Sequence, residues 1–277
     1  MNTDSRYDNR PIGVFDSGVG GLTVLKEIRQ LLPSENLIYF GDTARVPYGG
    51  KSAAVINRFA FEVYEFLKRQ NIKMLVVACN TASALALYNL KKASDVPVVG
   101  VIGPGVRAAV KAAGKSGSIG VIGTRATISS NVYQDGIKRL KSDAKVLAQP
   151  CPLFVPIVEE NLVDSEIARQ AVVMYLDSFR HENLSTLILA CTHYPLLKPV
   201  LNDYFAGKTA LIDSASETAI EVQGLLAAYR IRADENLSGS EKFYVSDSPK
   251  AFAEIAGKFL GRPVGGECAL HSWQNDV

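Results

Sequence analysis

Cysteine, histidine and tryptophan are scarce in this sequence, and long apolar runs are missing. Only 4 Cys, 3 His and 1 Trp occur among 277 residues. So few cysteines do not form a disulfide framework in a chain of this length, and no zinc-site spacing is present. No apolar run approaches the roughly 18 residues of a membrane-spanning helix, and the polar start lacks a signal-peptide core. We therefore expect a cytoplasmic protein without a metal or membrane contact.

An excess of charge of one sign is also missing. The 30 Lys and Arg residues nearly balance the 28 Asp and Glu residues, which leaves a net charge of +2 and no block of like charges. A protein that binds a nucleic acid backbone needs a concentrated basic face. With 47% hydrophobic and 21% charged residues, the composition is that of a folded globular protein, and no nucleic acid partner is expected.

After a polar tail at residues 1–10, short apolar segments alternate with longer amphipathic ones. The apolar runs indicate strands covered on both faces of a parallel sheet, and the alternation is typical of doubly wound α/β proteins. The predicted strands are Ile12–Phe15, Leu37–Phe40, Met74–Ala78, Val96–Val101, Ser118–Ile122, Val146–Gln149, Leu187–Ala190, Ala210–Ile212 and Phe243–Ser246. The predicted helices include Ser52–Gln70, Thr127–Leu140, Ser165–Arg180 and Ser216–Tyr229.

Two pairs of segments indicate an internal repeat. Met74–Thr81 (MLVVACNT) aligns with Thr186–His193 (TLILACTH), which places Cys79 opposite Cys191. Ile12–Gly18 (IGVFDSG) aligns with Ile119–Arg125 (IGVIGTR) at a similar separation along the chain. A chance likeness of apolar strands is the alternative, but two separations this close favour a real repeat.

The repeat predicts two similar α/β lobes. The first lobe is expected to comprise residues 1–98 and 210–277, and the second residues 99–209. The part of the chain after about residue 210 has no counterpart in the repeat. We expect it to pack back onto the first lobe.

Each predicted lobe carries a cysteine at the carboxyl end of a strand, where ligands bind in parallel sheets. Across a cleft, Cys79 and Cys191 can act on one carbon acid from opposite sides, one thiol removing a proton and the other returning it. A thiol pKa of about 8.5 suits both roles, and a following helix N-terminus would favour the thiolate. The alternative for any cysteine is a small buried apolar residue, which we expect for Cys151 and Cys268.

Two loops that follow predicted strands offer polar groups. Asp16–Val24 (DSGVGGLTV) opens a helix, and its backbone N–H groups can hold a phosphate or a carboxylate, although it is not a dinucleotide fingerprint. Gly41–Gly50 (GDTARVPYGG) offers Asp42, Tyr48 and backbone amides to a polar ligand. Tight turns of an α/β protein are the alternative for the glycine-rich segment.

Two further candidates lie near the second cysteine. His193 comes two residues after Cys191 and can exchange a proton with that thiol, a loop histidine being the alternative. Glu159 and Glu160 end the apolar segment CPLFVPIVEE. On these residues alone, a solvated helix start is favoured over an acid catalyst.

Seven segments, in order, resemble the glutamate racemase family. They lie between Pro11 and Ser246 and are FDSGVGGLTV, YFGDTARVPYG, VVACNTASA, VVGVIGPG, IGVIGTRATI, CPLFVPIVEE and LILACTHYPLL. The resemblance implies two α/β lobes related by a pseudo-two-fold, with the active site in the cleft between them. It also implies a cofactor-independent racemase that interconverts L-glutamate and D-glutamate for peptidoglycan biosynthesis. The regions before Pro11 and after Ser246 match less closely, and the single Trp273 suggests no role.

The same resemblance assigns roles to individual residues. It implies that Cys79 and Cys191 are the acid/base pair, one on each face of the α-carbon. Asp16 is implied to accompany Cys79, while His193 and Glu159 lie on the Cys191 side. The residues implied to hold the amino acid are Asp16, Ser17, Tyr48, Gly49, Asn80, Thr81, Thr192 and His193. A homodimer is a further implication.

Three other functions remain open at this point. An aspartate racemase or another two-cysteine racemase would use the same chemistry on a different substrate. A non-catalytic protein that binds anionic metabolites would use the glycine-rich loop alone. A thiol redox protein would instead join the two cysteines in a disulfide.

Overall fold

Parallel strands make up the core of the protein, for which a computed structural model describes residues 7–114, 117–182, 184–264 and 268–273. The strands are β1 Ile12–Asp16, β2 Leu37–Gly41, β3 Met74–Val77, β4 Val98–Gly100, β5 Ser118–Gly123, β6 Val146–Pro150, β7 Leu184–Ala190, β8 Ala210–Ile212, β9 Glu241–Val245 and β10 Cys268–Leu270. Every strand pairing in these described ranges is parallel.

Helices connect and cover the strands. They are α1 Leu22–Leu31, α2 Ala53–Arg69, α3 Asn80–Leu85, α4 Leu87–Ala93, α5 Ile102–Ala113, α6 Arg125–Ser129, α7 Val132–Leu140, α8 Phe154–Glu159, α9 Glu166–Leu176, α10 Lys198–Tyr204, α11 Ala215–Tyr229 and α12 Pro249–Leu260. In the part of the chain that the structure describes, no helix combines the length and the apolar character needed to cross a membrane.

The strands form two sheets with a shared order. The larger sheet has the order β10-β9-β2-β1-β3-β4, and the smaller one has the order β6-β5-β7-β8. The α/β class with parallel sheets is therefore confirmed. Four neighbouring strands of the larger sheet, β2-β1-β3-β4, correspond in order to the whole smaller sheet, which is consistent with the predicted repeat.

The strand pairing differs from the predicted lobe boundaries at two places. β4 pairs with β3, so residues 99 and 100 belong to the first sheet, not to the second lobe. β8 pairs with β7, so residues 210–212 belong to the second sheet, not to the first lobe. The boundaries differ from the prediction because each repeat ends with an edge strand. β4 is the edge strand of the repeated part of the larger sheet, and β8 is the corresponding edge strand of the smaller sheet. Further along the chain, β9 and β10 extend the larger sheet.

Two local predictions were wrong, and one strand was missed. The predicted helix Thr127–Leu140 is two helices, α6 and α7, because Asn131 adopts a left-handed backbone with φ of 57°. The predicted tail extends too far. Residues 1–6 lie outside the described residues, but the backbone N–H of Asp8 donates to the carbonyl of Arg232 at 2.9 Å. The strand β10 was not predicted, because its three residues do not form an apolar run long enough to indicate a strand.

Parallel pairing places the predicted catalytic residues at the carboxyl ends of the strands in both sheets. Asp16 is the last residue of β1, Cys79 follows β3, and Cys191 follows β7 directly. Since β1 pairs with β3 in register, Asp16 and Cys79 lie at the same carboxyl edge of the larger sheet. Cys191 holds the corresponding place in the smaller sheet.

A buried ion pair holds four chain segments together at the opposite end of the larger sheet. Lys73 and Glu35 are 1% and 3% exposed, and Lys73 Nζ lies 2.6 Å from Glu35 Oε2. The Lys73 ammonium also donates to the Asp8 carbonyl at 2.5 Å, and the backbone N–H of Ala233 donates to Glu35 Oε1 at 2.8 Å. The pair therefore fixes the N-terminal segment and the segment after α11 against the start of β3.

We predict that Glu35→Ala lowers the free energy of unfolding by about 3 kcal/mol or more, because it leaves the Lys73 charge buried without its partner. Urea unfolding measures the change. The control is Glu166→Ala, which breaks the exposed pair with Arg169 and should leave stability unchanged. Equal stability of the Glu35 variant and the control would contradict this assignment.

Candidate active site

One cavity lies where the carboxyl edges of the two sheets meet, and it contains both predicted cysteines. Nine of the predicted site residues line it: Ser17, Tyr48, Gly49, Cys79, Asn80, Thr81, Cys191, Thr192 and His193. Four lining residues were not predicted: Val46, Pro47, Thr124 and Val155. The predicted Asp16 and Glu159 do not line the cavity but contact residues that do.

Cys79 is a buried thiol beside a serine hydroxyl. It occupies the N-cap position of α3, and its Sγ lies 3.5 Å from Ser17 Oγ. Burial, and then the neighbouring charge of Asp16, raise the pKa of the Cys79 thiol to about 12. The amide of Ala82 in the first turn of α3 lowers this pKa, as expected of a helix N-terminus, but it does not set the outcome. The loss of hydration and the nearby carboxylate outweigh the helix.

Asp16 is fully buried and joins the two lobes. Its Oδ2 accepts the backbone N–H of Gly18 at 2.9 Å, and its Oδ1 accepts the hydroxyl of Thr192 at 3.3 Å. Burial raises the pKa of this carboxyl above its ordinary value, although His193 and the amides of Gly18 and Gly21 oppose the rise. Two amides of the glycine-rich loop thus bind a carboxylate of the protein itself. They do not serve as the predicted cradle for a ligand.

The second thiol has a different neighbourhood. Cys191 Sγ lies 3.9 Å from His193 Nδ1, and His193 Nε2 lies 3.0 Å from Glu159 Oε1. Burial disfavours the imidazolium, but the hydrogen bonds to Cys191 and Glu159 outweigh it and raise the pKa of His193 to about 10. His193 therefore carries a positive charge beside Cys191 at neutral pH. Glu159 ends α8, so the prediction of a solvated helix start was wrong.

Hydrogen bonds between side chains of the two lobes border the cavity. Tyr133 Oη donates to Asn80 Oδ1 at 2.5 Å, which orients the amide of Asn80. The Thr81 hydroxyl lies 3.0 Å from that of Thr124 and 3.2 Å from that of Thr127. Since Asn80 and Thr81 open α3 while their partners belong to α6, α7 and the residue before α6, these bonds hold the cleft closed.

Glycine is required at two places where the lobes approach each other closely. A Cβ atom at Gly20 would lie 2.4 Å from Thr192 Oγ1 and 2.7 Å from His193 Nδ1. A Cβ atom at Gly49 would lie 2.5 Å from Thr124 Cβ. The glycines of both predicted loops therefore let one lobe reach the other at the cavity.

The cavity lining contains thiols, hydroxyls, an amide and an imidazole, but neither Lys nor Arg is among the described residues that form it. Such a site can bind a small polar molecule through directed hydrogen bonds and can exchange protons from two sides. Within the described ranges, no group of three or more His, Cys, Asp or Glu is placed to hold a metal ion. Cys151 is buried in the core as expected, and Cys268 lies partly buried in β10.

Comparison with known proteins gives consistent similarities. The family model of Asp/Glu/hydantoin racemases matches residues 12–222. A glutamate racemase from Geobacter metallireducens is 48% identical over 256 residues, which are 92% of this chain and 94% of that protein. The crystal structure of a glutamate racemase from Bacillus anthracis has 44% identity and a TM-score of 0.90, with 95% of this chain and 98% of that chain covered. A Francisella tularensis glutamate racemase, in complex with D-glutamate, has 38% identity, a TM-score of 0.89 and coverage of 96% and 98%.

The raised pKa of His193 predicts a change of stability with pH. Because folding raises this pKa from 6.5 to about 10, the stabilisation is complete below pH 6.5 and is lost as the pH rises through about 10. We therefore expect the free energy of unfolding of the unmodified chain, relative to His193→Gln, to fall across that window. Urea unfolding of both proteins at several pH values measures the difference. A difference that grows with pH would contradict the prediction.

Proposed function

Because this chain belongs to the Asp/Glu/hydantoin racemase family and is an amino-acid racemase, we propose that it interconverts L-glutamate and D-glutamate through Cys79 and Cys191. The observation that carries the proposal is that one cavity contains both thiols, each supplied by a different sheet. The thiolate on one side removes the α-proton, and its electron pair stays on the α-carbon and the adjoining carboxylate. The thiol on the other side then protonates the α-carbon from the opposite face.

The unequal surroundings of the two sulfurs support an assignment of their resting states. Burial and Asp16 favour the neutral thiol at Cys79. Cys191 Sγ instead lies 3.9 Å from His193 Nδ1, so the positive ring is placed to stabilise a negative charge on that sulfur during the reaction. In this proposal, Cys191 is the base of the resting enzyme and Cys79 is the acid. The substrate of opposite configuration needs the reverse arrangement, in which Cys79 has lost its proton and Cys191 has gained one.

The neighbours of each thiol have complementary roles in this mechanism. Glu159 holds the imidazolium of His193 in place, and the imidazolium stabilises negative charge on Cys191. The carboxylate of Asp16 makes a Cys79 thiolate a stronger base, because the two negative charges repel each other until a proton is taken up. Both arrangements assist the removal of a weakly acidic α-proton.

The substrate would be held mainly by neutral donors. The residues proposed to bind it are Ser17, Tyr48, Gly49, Asn80, Thr81, Thr192 and His193, all of which line the cavity. Asp16, which was predicted with them, is proposed to act from behind the lining through Thr192. General acid–base transfer contributes only about 10²–10⁴-fold, so stabilisation of the carbanion-like transition state must supply the remainder. Hydrogen bonds in an enclosed site are suited to this, because water does not compete with them. No cofactor is part of this proposal.

The biological setting follows from the proposed reaction. D-glutamate for peptidoglycan is the proposed product, and the cytoplasm is the proposed compartment. The relative from Francisella tularensis was solved with D-glutamate, which supports glutamate as the substrate here. A homodimer is proposed as the working form, and analytical ultracentrifugation distinguishes it from a monomer.

The two-thiol mechanism predicts that Cys79→Ala and Cys191→Ala each lower kcat by about 10²-fold or more, because each removes one of the two proton carriers. Circular dichroism of L-glutamate, D-glutamate and aspartate solutions measures the rates. Cys268→Ala removes a cysteine outside the cavity and should retain full activity. In deuterium oxide, the product should carry deuterium at the α-carbon and the recovered substrate little.

Each competing function has its own outcome in the same experiments. Preferential turnover of aspartate would identify an aspartate racemase, and binding of glutamate without a change in optical rotation would identify a non-catalytic binder. A disulfide between Cys79 and Cys191 on mild oxidation, without racemisation, would identify a thiol redox protein. Full activity of either alanine variant would contradict the two-thiol mechanism.

The assignment of resting states makes a separate prediction. At neutral pH, the Cys191→Ser variant should show less thiolate absorbance in the ultraviolet than the unmodified enzyme, by the amount of one thiolate. The Cys79→Ser variant should show no such loss, because Cys191 is the residue that faces the His193 ring. Difference spectra against the unmodified enzyme measure the loss. The opposite pattern would assign the resting charge to Cys79.

A further inference from the structure

A buried carboxylate behind the cavity collects hydrogen bonds from distant parts of the chain. Asp42 directly follows β2 and is fully buried. Among the described residues, four side chains donate to its two oxygens, at 2.7 Å for Arg45 Nε, 2.7 Å for Ser246 Oγ and 3.1 Å for Trp273 Nε1; the fourth is Tyr48 Oη. With four charge-assisted donors, this carboxylate has a defined position.

The only tryptophan of the chain completes this cluster. Trp273 follows β10, whose pairing with β9 brings the C-terminal segment to the larger sheet. The guanidinium carbon of Arg45 lies 3.9 Å from the centre of the Trp273 ring and 4.0 Å from the centre of the Phe59 ring. The guanidinium thus contacts two aromatic rings while its Nε donates to Asp42. Indole N–H is a donor only, so the bond to Asp42 has a fixed direction.

The cluster reaches the cavity through one residue. Tyr48 is 1% exposed, lines the cavity and donates its hydroxyl to Asp42. Gly49, the next residue, also lines the cavity and lies against Thr124 of the other lobe. The two turns of this loop, Thr43–Arg45 and Tyr48–Gly50, are short 3₁₀ helices outside the sheet. Their placement therefore depends on side-chain contacts.

We propose that Trp273 is a positioning residue for the substrate site. It holds Asp42 and Arg45, and through Asp42 it sets the orientation of Tyr48 and the place of Gly49 in the cavity wall. This role rests on the proposed function, because the affected property is the binding of glutamate. It also gives the C-terminal segment a part in the reaction, although none of the described residues of that segment lines the cavity.

Trp273→Phe is the informative variant, since phenylalanine retains an aromatic face for Arg45 but lacks the N–H donor. We expect the KM for glutamate to rise about threefold to tenfold, as for the net contribution of one typical hydrogen bond, with a smaller change in kcat. Trp273→Ala loses both contacts and should raise KM further. The matched control is Leu270→Ala, on the exposed side of β10, which should leave KM unchanged.

A double-mutant cycle separates positioning from a general loss of stability. If Trp273 acts through Asp42 and Tyr48, then Trp273→Phe should raise KM much less in a Tyr48→Phe background than in the unmodified enzyme. Independent effects of the two substitutions on KM would overturn the proposal. An unchanged KM in Trp273→Phe, with only a lower melting temperature, would overturn it as well.

The unmodified enzyme offers an independent measurement. Because Trp273 is the only tryptophan, its fluorescence reports on this cluster, and saturating glutamate should change the emission. Unchanged emission at concentrations at which calorimetry shows binding would contradict the proposal. If the unmodified enzyme binds glutamate with changed emission but does not racemise it, the proposed function fails and the positioning role stands.

Discussion

The parallel pairing of strands is the constraint from which the site follows. Because β1 pairs with β3 and β5 pairs with β7, the residues after these strands must emerge at one edge of each sheet. The two edges meet at the cavity, so the chain needs no long loop to bring Cys79 and Cys191 together. Glycines at positions 20 and 49 then allow the lobes to approach each other closely enough to enclose the cavity.

Similar lobes do not make the two thiols equivalent. Asp16 lies beside Cys79, whereas an imidazolium held by Glu159 lies beside Cys191. The fold thus supplies two similar positions, and the side chains around them give the two sulfurs neighbours of opposite charge. This difference originates in side chains, because the strand order of the two sheets is shared.

Much of this arrangement could be predicted from the sequence, since apolar strands and their repeat are local patterns. The repeat also carries information about Thr124 and about the second lobe boundary. Aligning Ile12–Gly18 with Ile119–Arg125 places Thr124 opposite Ser17, and extending the alignment of the two cysteine segments places β8 opposite β4. The first correspondence indicates Thr124 as a residue of the site, and the second indicates that β8 belongs to the second sheet.

Other features depend on tertiary contacts and leave no local signal. The high pKa of Cys79 comes from burial and from the carboxylate of Asp16 on another strand, and these outweigh the effect of the following helix. The break at Asn131 is a single left-handed residue within an amphipathic pattern. The bond between Trp273 and Asp42 joins residues from opposite ends of the sequence. Only the folded chain brings these groups together.

The most direct measurement of the central claim is a crystal structure of this enzyme with bound glutamate, in which the distance from each sulfur to the α-carbon is determined. We expect Cys79 Sγ and Cys191 Sγ on opposite faces of the α-carbon, each at roughly 3.5 Å, as proton transfer requires. Both sulfurs on one face, or one sulfur well beyond contact distance, would contradict the two-thiol account.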